Sequence, residues 1–455
     1  MVDDVSKKQT RNEIIRIAGP VFVELLMGTL FGMVDMIMLG NFGTDAMAVA
    51  SIAAVGITNQ LMFIGLSLVQ SLNTGATTMV ARYIGAKRED RIESVVKHVM
   101  ILTQILLVIP ILYVGLGMTD GAMKFLGAHQ DTIAIGRDYF RVVALGFIFQ
   151  AFNFSVFASL RGAGDTKTPM KINLTVNLIN VIGNAVLIYG LFGFPKLGVV
   201  GAGISTTISQ VVASIMLIKF ILNKKSIIHI NLKNKFKFDK DIIYNLVKIG
   251  LPASLEQIAM RLGLLIFVKI IATLGTVAYA THQIGINIMN LSFTPGQAFG
   301  IAASTLTGRS LGEEDPDRAE GYIKMCGRIG SLISASMGII FFFFGTFIAG
   351  LYTSNNDVVF EAGRILKLMA FIQPFQGSQL IIAGGLRGAG DTVWTLVSAF
   401  IGVLIVRIVL AYIFVIVMDM GLIGAWLAVL IDQSIRWAMI RIRFKTNKWK
   451  YITIR

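Results

Sequence analysis

Twelve apolar stretches alternate with short polar connections along the chain, at residues 14–39, 47–72, 93–116, 133–158, 168–190, 198–222, 243–271, 279–304, 322–350, 361–384, 394–416 and 421–442. Each is long enough to cross a hydrocarbon core of about 30 Å, which takes about 20 residues of α-helix. Apolar runs of this length predict membrane helices rather than the period-two alternation of strands. The expected fold is an all-α polytopic membrane protein with 12 transmembrane helices in two six-helix lobes.

The second six stretches restate the first. Leu160-Arg161-Gly162-Ala163-Gly164-Asp165-Thr166 returns unchanged as Leu386-Arg387-Gly388-Ala389-Gly390-Asp391-Thr392, an offset of 226 (386 − 160). Pro20 and Glu24 match Pro252 and Glu256 at 232, and Gly43, Ala46 and Ala48 match Gly275, Ala278 and Ala280 at the same offset. Arg82 and Gly85 match Arg309 and Gly312 at 227, and Gly198, Gly201 and Ala202 match Gly421, Gly424 and Ala425 at 223. Six crossings return a chain to its starting side, so the halves run the same way as parallel repeats. The organisation read from this is a first lobe at 1–222, a basic linker at 223–242, and a second lobe with a basic tail at 243–455.

Composition agrees with lipid on the outside: 55% of residues are hydrophobic and 15% charged, where soluble domains are about a quarter charged. The net charge of +15 is a topology signal rather than a nucleic-acid footprint. Arg82, Lys87, Arg88, Arg91, Arg161, Lys167, Arg309, Arg318, Arg387 and six lysines of the linker, Lys225 and Lys235 among them, lie on one side with both termini. Only Lys124 and Lys196 occupy the opposite connections. The positive-inside rule makes termini and linker cytoplasmic, in the inner membrane of a cell; contact with anionic lipid is the secondary reading. The N-terminus has no signal-peptide pattern. One cysteine and four scattered histidines, His98, His129, His229 and His282, give no metal cluster and no cofactor, and no phosphate loop occurs. Nothing suggests oligomerisation, so a monomer is expected.

The order of these motifs resembles the multidrug and toxic compound extrusion (MATE) transporters over nearly the whole chain. The residues that carry the resemblance are Val34-Asp35 with Leu39-Gly40, the paired turns, the Asn177/Asn180/Asn184 row with Tyr189, Gly201-Ala202 with Thr206, and Gly250-Leu251-Pro252 with Glu256. The resemblance implies an inner-membrane antiporter that expels lipophilic, often cationic, organic compounds or drugs in exchange for H⁺ or Na⁺. It also implies a cation site in the first lobe.

Asp35 is the leading candidate for coupling. A carboxylate inside a span is costly and marks function, although a residue about 6 Å from the outer helix end can also simply reach water. Asn177, Asn180 and Asn184 share one helix face at i, i+3, i+7, and Thr206 is about 12 Å from the outer end of its own helix. Asp35, Asn180, Asn184 and Thr206 offer oxygen to a hard cation; hydrogen bonding between helices is the alternative for the asparagines. Asn184 stands where some relatives carry a second carboxylate, so a weaker Na⁺ site or reliance on protonating Asp35 is expected.

The second lobe lacks this set, since Asp35 maps to Phe267, Asn184 to Arg407 and Thr206 to Val429. Arg407 reads as a counter-ion for Asp432 or Glu256, or as an attractor of anionic groups. Glu256, about 20 Å into its helix near the midplane, is a rival proton or substrate site, or a packing residue like its mate Glu24. Asn177, Gln283, Gln376 and Asp432 complete the secondary candidates. Pro20 is either a hinge or a static kink. The repeated turns read as tight glycine turns with their arginines at the lipid headgroups. The substrate cavity is expected between the lobes, lined from among 21 Met and 30 Phe. A lipid-linked saccharide flippase is the second transporter reading; it would want a basic cavity, whereas the intramembrane charges read as mostly acidic. A membrane-embedded enzyme lacks any paired catalytic groups, and a channel lacks subunit-ring signatures.

Overall fold

The computed structural model describes residues 2–40, 45–128, 130–224, 226–231, 233–234, 236–353 and 355–454. Gly43, His129, Lys225 and Lys235 lie outside the described residues, as do the side chains of Ala46 and Ala48. Among the described residues every regular element is helical. The twelve long helices are α1 Val2–Gly40, α2 Asp45–Gly85, α3 Glu89–Gly117, α4 Gln130–Gly162, α5 Lys167–Tyr189 and α6 Gly198–Leu222 in the first half. The second half carries α7 Lys240–Ala272, α8 Thr276–Gly312, α9 Pro316–Gly350, α10 Asn356–Gly388, α11 Thr392–Val417 and α12 Gly421–Lys445. Every expected span is a helix.

Among the described residues, nine of the twelve are both long and apolar enough to cross a membrane. The exceptions, α7, α8 and α10, are as long but carry buried polar side chains, including Glu256, His282, Gln373, Gln376 and Gln379. Pro20, Pro252, Pro295 and Pro374 all sit inside continuous helices, as membrane helices tolerate.

Two compact units emerge. One comprises Val23–Val80 and Arg88–Val247; the other comprises Met1–Phe22, Ala81–Lys87 and Lys248–Arg455. The N-terminal part of α1 and the C-terminal end of α2 therefore cluster with the second half of the chain, and the division in α1 falls two residues after Pro20. The first unit is built around Val69, Phe140, Phe147 and Ile188. The second has one core around Phe267, Leu366 and Trp426 and another that seats Ile14, Ile17 and Ala18 of α1 against Phe299, Ala302 and Leu306 of α8.

Lipid supplies no hydrophobic drive for helix association, so close approach through small residues matters. A Cβ at Gly201 would strike the carbonyl of Leu187, and one at Gly384 the backbone of Gly300. The repeated heptapeptide folds the same way twice. Gly164 and Gly390 take φ of +86° and +87°, and the following Asp165 and Asp391 donate their N–H groups to Leu160 and Leu386 at 2.9 and 2.8 Å. Only glycine adopts that backbone freely.

The copies differ at the aspartate. Asp165 caps α5 through the Thr168 N–H at 3.0 Å and hydroxyl at 2.6 Å. Asp391 instead accepts from Arg443 Nε at 2.6 Å; burial raises its carboxyl above the usual range against the pull of that guanidinium.

Candidate functional site

α5 and α6 lie close enough that a Cβ at Gly183 would strike Ser205. That contact aligns the asparagine face of α5 with Thr206. The Asn184 amide donates to Asp35 Oδ1 at 2.8 Å. With its amide oriented to satisfy the network, Asn180 donates to the Asp35 oxygens at 3.1 and 3.2 Å and accepts from the Thr206 hydroxyl at 3.1 Å. Ser205 donates to the Asn180 carbonyl at 2.8 Å and fixes the helix register. Tyr189 donates to the carbonyl of Met38 at 2.7 Å and ties the ends of α5 and α1 together. Asp35, Asn180, Asn184 and Thr206 thus meet in one place.

Asn180 and Asn184 are buried while Asp35 is half-buried, so the carboxylate has amide partners on one side and an approach on the other. Asn184 Oδ1 is buried without a hydrogen-bond partner. An ionised carboxylate only accepts, so both amides turn nitrogen toward it. A cation would be met by oxygens, and the unpartnered Asn184 Oδ1 is one rotation from supplying its own. Asn177 is half-buried and makes no hydrogen bond to Asp35 among the described residues.

Glu256 stands elsewhere. Its Oε1 accepts from Arg387 at 2.5 Å and its Oε2 from the Thr395 hydroxyl at 2.8 Å. Thr395 is only three residues into α11, so the carboxylate sits about one turn from the start of that helix. Its repeat mate is held the same way: Glu24 Oε1 accepts from Arg161 at 2.6 Å and from Asn173 at 2.5 Å. The arginines of the repeated turns therefore reach back into the protein, not out to lipid headgroups. Their carboxylates, 6% and 4% exposed in the side chain, would otherwise be buried alone, which is far costlier than a pair.

Arg407 pairs with Asp432 alone of its two expected partners, through Nε at 3.0 Å and Nη2 at 2.5 Å. Its guanidinium also lies over Phe267, 5.7 Å from the ring centroid. Phe267 meets His282 edge-on, and His282 lies against Trp426. Gln376 is buried with neither amide atom partnered, and Gln283 is half-buried. Buried Arg436 on α12 was missed by reading the sequence, as were the inward arginines 161 and 387. Within the helices of the second half, buried Arg407 and Arg436 stand beside buried Glu256 and Asp432, so the buried charge there is not mostly acidic. The Asp432/Arg436 spacing of four residues was the available signal.

A family model described as MatE matches residues 20–186 and again 252–413, one match per half. "Probable multidrug resistance protein NorM" of Thermotoga maritima is 29% identical, over 97% of this chain and 94% of the relative. "Multidrug resistance protein NorM" of Vibrio cholerae is 28% identical over 94% and 93%. A solved structure described as the outward-facing conformation of a multidrug resistance MATE family transporter superposes with a TM-score of 0.88, at 24% identity over 96% of this chain and 97% of that one. These relatives are transporters, not enzymes, and the resemblance read from the paired motifs stands: the chain belongs to the MatE family of multidrug and toxic compound extrusion membrane transporters.

Proposed function

We propose that the chain is an inner-membrane antiporter that exports lipophilic organic cations and takes in H⁺ or Na⁺ at Asp35. The observation that carries this is the meeting of one half-buried carboxylate with two buried amides and a hydroxyl, 2.8 to 3.2 Å apart. Protonation would turn Asp35 from pure acceptor to donor, and Na⁺ would demand oxygen in place of N–H. Either event reverses an amide on α5 and so couples occupancy to the α1–α5 contact. Asn180, Asn184 and Thr206 are the companion ligands. Pro20, close to the division between the compact units, is the proposed hinge. The multidrug resistance names of the relatives support the substrate class.

The test is efflux of a fluorescent organic cation from drug-sensitive, efflux-deficient bacteria, with Na⁺ and H⁺ gradients imposed separately. Wild type should respond to one gradient, and Asp35→Asn should lose at least tenfold of the driven rate. Normal driven export by Asp35→Asn would remove Asp35 from the mechanism. Export indifferent to both gradients would remove antiport itself.

A further inference from the structure

Of the positions that the repeat relates to Asp35, Asn180, Asn184 and Thr206, which are Phe267, Val403, Arg407 and Val429, only Arg407 is charged, and it is positive. Asn184, Ser209 and Ala213 in the first half correspond, at an offset of 223, to Arg407, Asp432 and Arg436. Asp35 corresponds to Phe267 at 232, with Arg407 lying over that ring. Where the first half holds one carboxylate among neutral donors, the second holds two guanidiniums and one carboxylate.

The three charges are deeply buried, at 6% exposure for Arg407, 0% for Asp432 and 4% for Arg436. Asp432 is 11 residues into α12 (432 − 421) and Arg436 is 15 (436 − 421), so both lie about 17 to 22 Å from the helix start, near the middle of that helix. Arg407 uses one oxygen of Asp432, and the other, Oδ1, is buried without a partner; so is Nε of Arg436. Gly402, on a π-helical stretch of α11 that also bears Arg407, makes room: a Cβ there would collide with Arg436 and with Asp432 Oδ1. Such stretches recur at functional sites. Rotating Arg436 onto Oδ1 would satisfy both atoms and leave the count unchanged, one positive charge in excess. The pair of buried Glu256 with half-buried Arg387 is already neutral. An uncompensated guanidinium in a membrane interior is costly by any scale and calls for a partner.

We propose that the Arg407–Asp432–Arg436 cluster is an anion-binding site, which takes a monovalent anion, either free or as the carboxylate end of an organic molecule. Arg436 supplies the unclaimed N–H donors and Arg407 the second positive charge, while Gly402 lets Arg436 and Asp432 pack against α11. Asp432 holds Arg407 in place and limits affinity, so that the anion can leave. The site does not depend on cation-driven export, which can fail while this binding remains.

Calorimetric titration of the purified full chain in lipid nanodiscs tests the site. Sodium chloride and sodium benzoate are added separately over a sodium sulfate background. At least one should bind saturably to wild type, and Arg436→Gln should weaken it tenfold or more. Arg441→Gln, one turn further along α12 with its guanidinium over Trp437, should stay within threefold of wild type. Saturation by chloride alone identifies an inorganic occupant, and by benzoate alone an organic carboxylate; both support the site. Should Arg436→Gln not fold, Asp432→Asn serves, because removing the competing carboxylate should tighten binding at least threefold. No saturable binding of either anion to folded wild type overturns the proposal, as does wild-type affinity in Arg436→Gln or in Asp432→Asn.

Discussion

Glu24 and Glu256 show how one residue can hold a turn, a helix and a half of the molecule in register. Each accepts from the arginine of its own repeated turn and from a side chain on the following helix, Asn173 or Thr395. Removing one member of such a pair leaves a buried charge alone and costs about 3 to 5 kcal/mol, whereas replacing both with apolar groups of like size is often neutral. Glu256→Gln is therefore expected to lower the thermal midpoint of the purified protein by many degrees. The double change Glu256→Leu with Arg387→Met should recover more than half of that loss. A double variant no more stable than the single would show that the charge pair is not what Glu256 contributes. These pairs were half legible. The repeat identified Glu24 with Glu256 and the turn arginines with each other, but not which met which. An arginine stem is long enough to reach lipid or protein from one Cα, and local sequence does not choose. The Asp35 cluster was easier to read, because short side chains on adjoining helix faces can only meet or miss.

At the scale of elements, the crossing of α2 with α8 near their C-terminal ends is built on a reciprocal pair. A Cβ at Gly85 would collide with the carbonyl of Arg309, and a Cβ at Gly312 with the carbonyl of Arg82. The obstruction is backbone and cannot rotate away, so Gly312→Val should cost at least the 1 to 3 kcal/mol or so of ordinary overpacking. Gly321→Val on α9, where nothing lies within 4 Å of a new Cβ, is the control and should unfold with wild type. Equal midpoints for the two variants would mean that the crossing relaxes freely. The linker is anchored in a different way. Asp239 accepts from Arg91 at 2.7 Å and from the N–H groups of Asp241 and Ile242, and its own N–H donates to His98. Burial works to raise its carboxyl, but those N–H groups and Arg91 outweigh it and hold it below the usual range. A depressed carboxyl stabilises above its ordinary value, near 3.9, and the contribution fades as pH falls through the folded value. The anchor is thus intact at neutral pH, where Asp239→Ala should speed trypsin cleavage at Lys237 and Lys240 several-fold. An unchanged rate would place the anchor in the contacts of Lys97 and Glu93 with Asn231 and Asn234 instead. All twelve helices were legible from apolar run length, even α7, α8 and α10, whose buried polar side chains include Glu256, His282 and Gln376. Their ends were not, because α1, α2 and α7 continue as polar helix beyond the apolar run that announces them.

For the whole molecule, the placement of lysine and arginine makes a claim that can be tested without reference to transport. If the positive-inside rule orients this chain, the linker and both termini face the cytoplasm and the α5–α6 connection faces out. The protein is well suited to the test, because its single cysteine, Cys326, is wholly buried and should not react with a bulky maleimide while the protein is folded. Phe192, in the α5–α6 connection, is 89% exposed, and Lys233 in the linker is also exposed. In intact cells a membrane-impermeant maleimide should label Phe192→Cys fully and Lys233→Cys hardly at all. In inverted membrane vesicles the pattern should reverse, with wild type blank in both. The same labelling of Phe192→Cys and Lys233→Cys from one side would break the even count of crossings on which the parallel repeat rests. A clean reversal of the expected sides would keep the repeat but invert the molecule, and would then place the Asp35 cluster toward the cytoplasmic face, where an inward ion gradient meets it last rather than first.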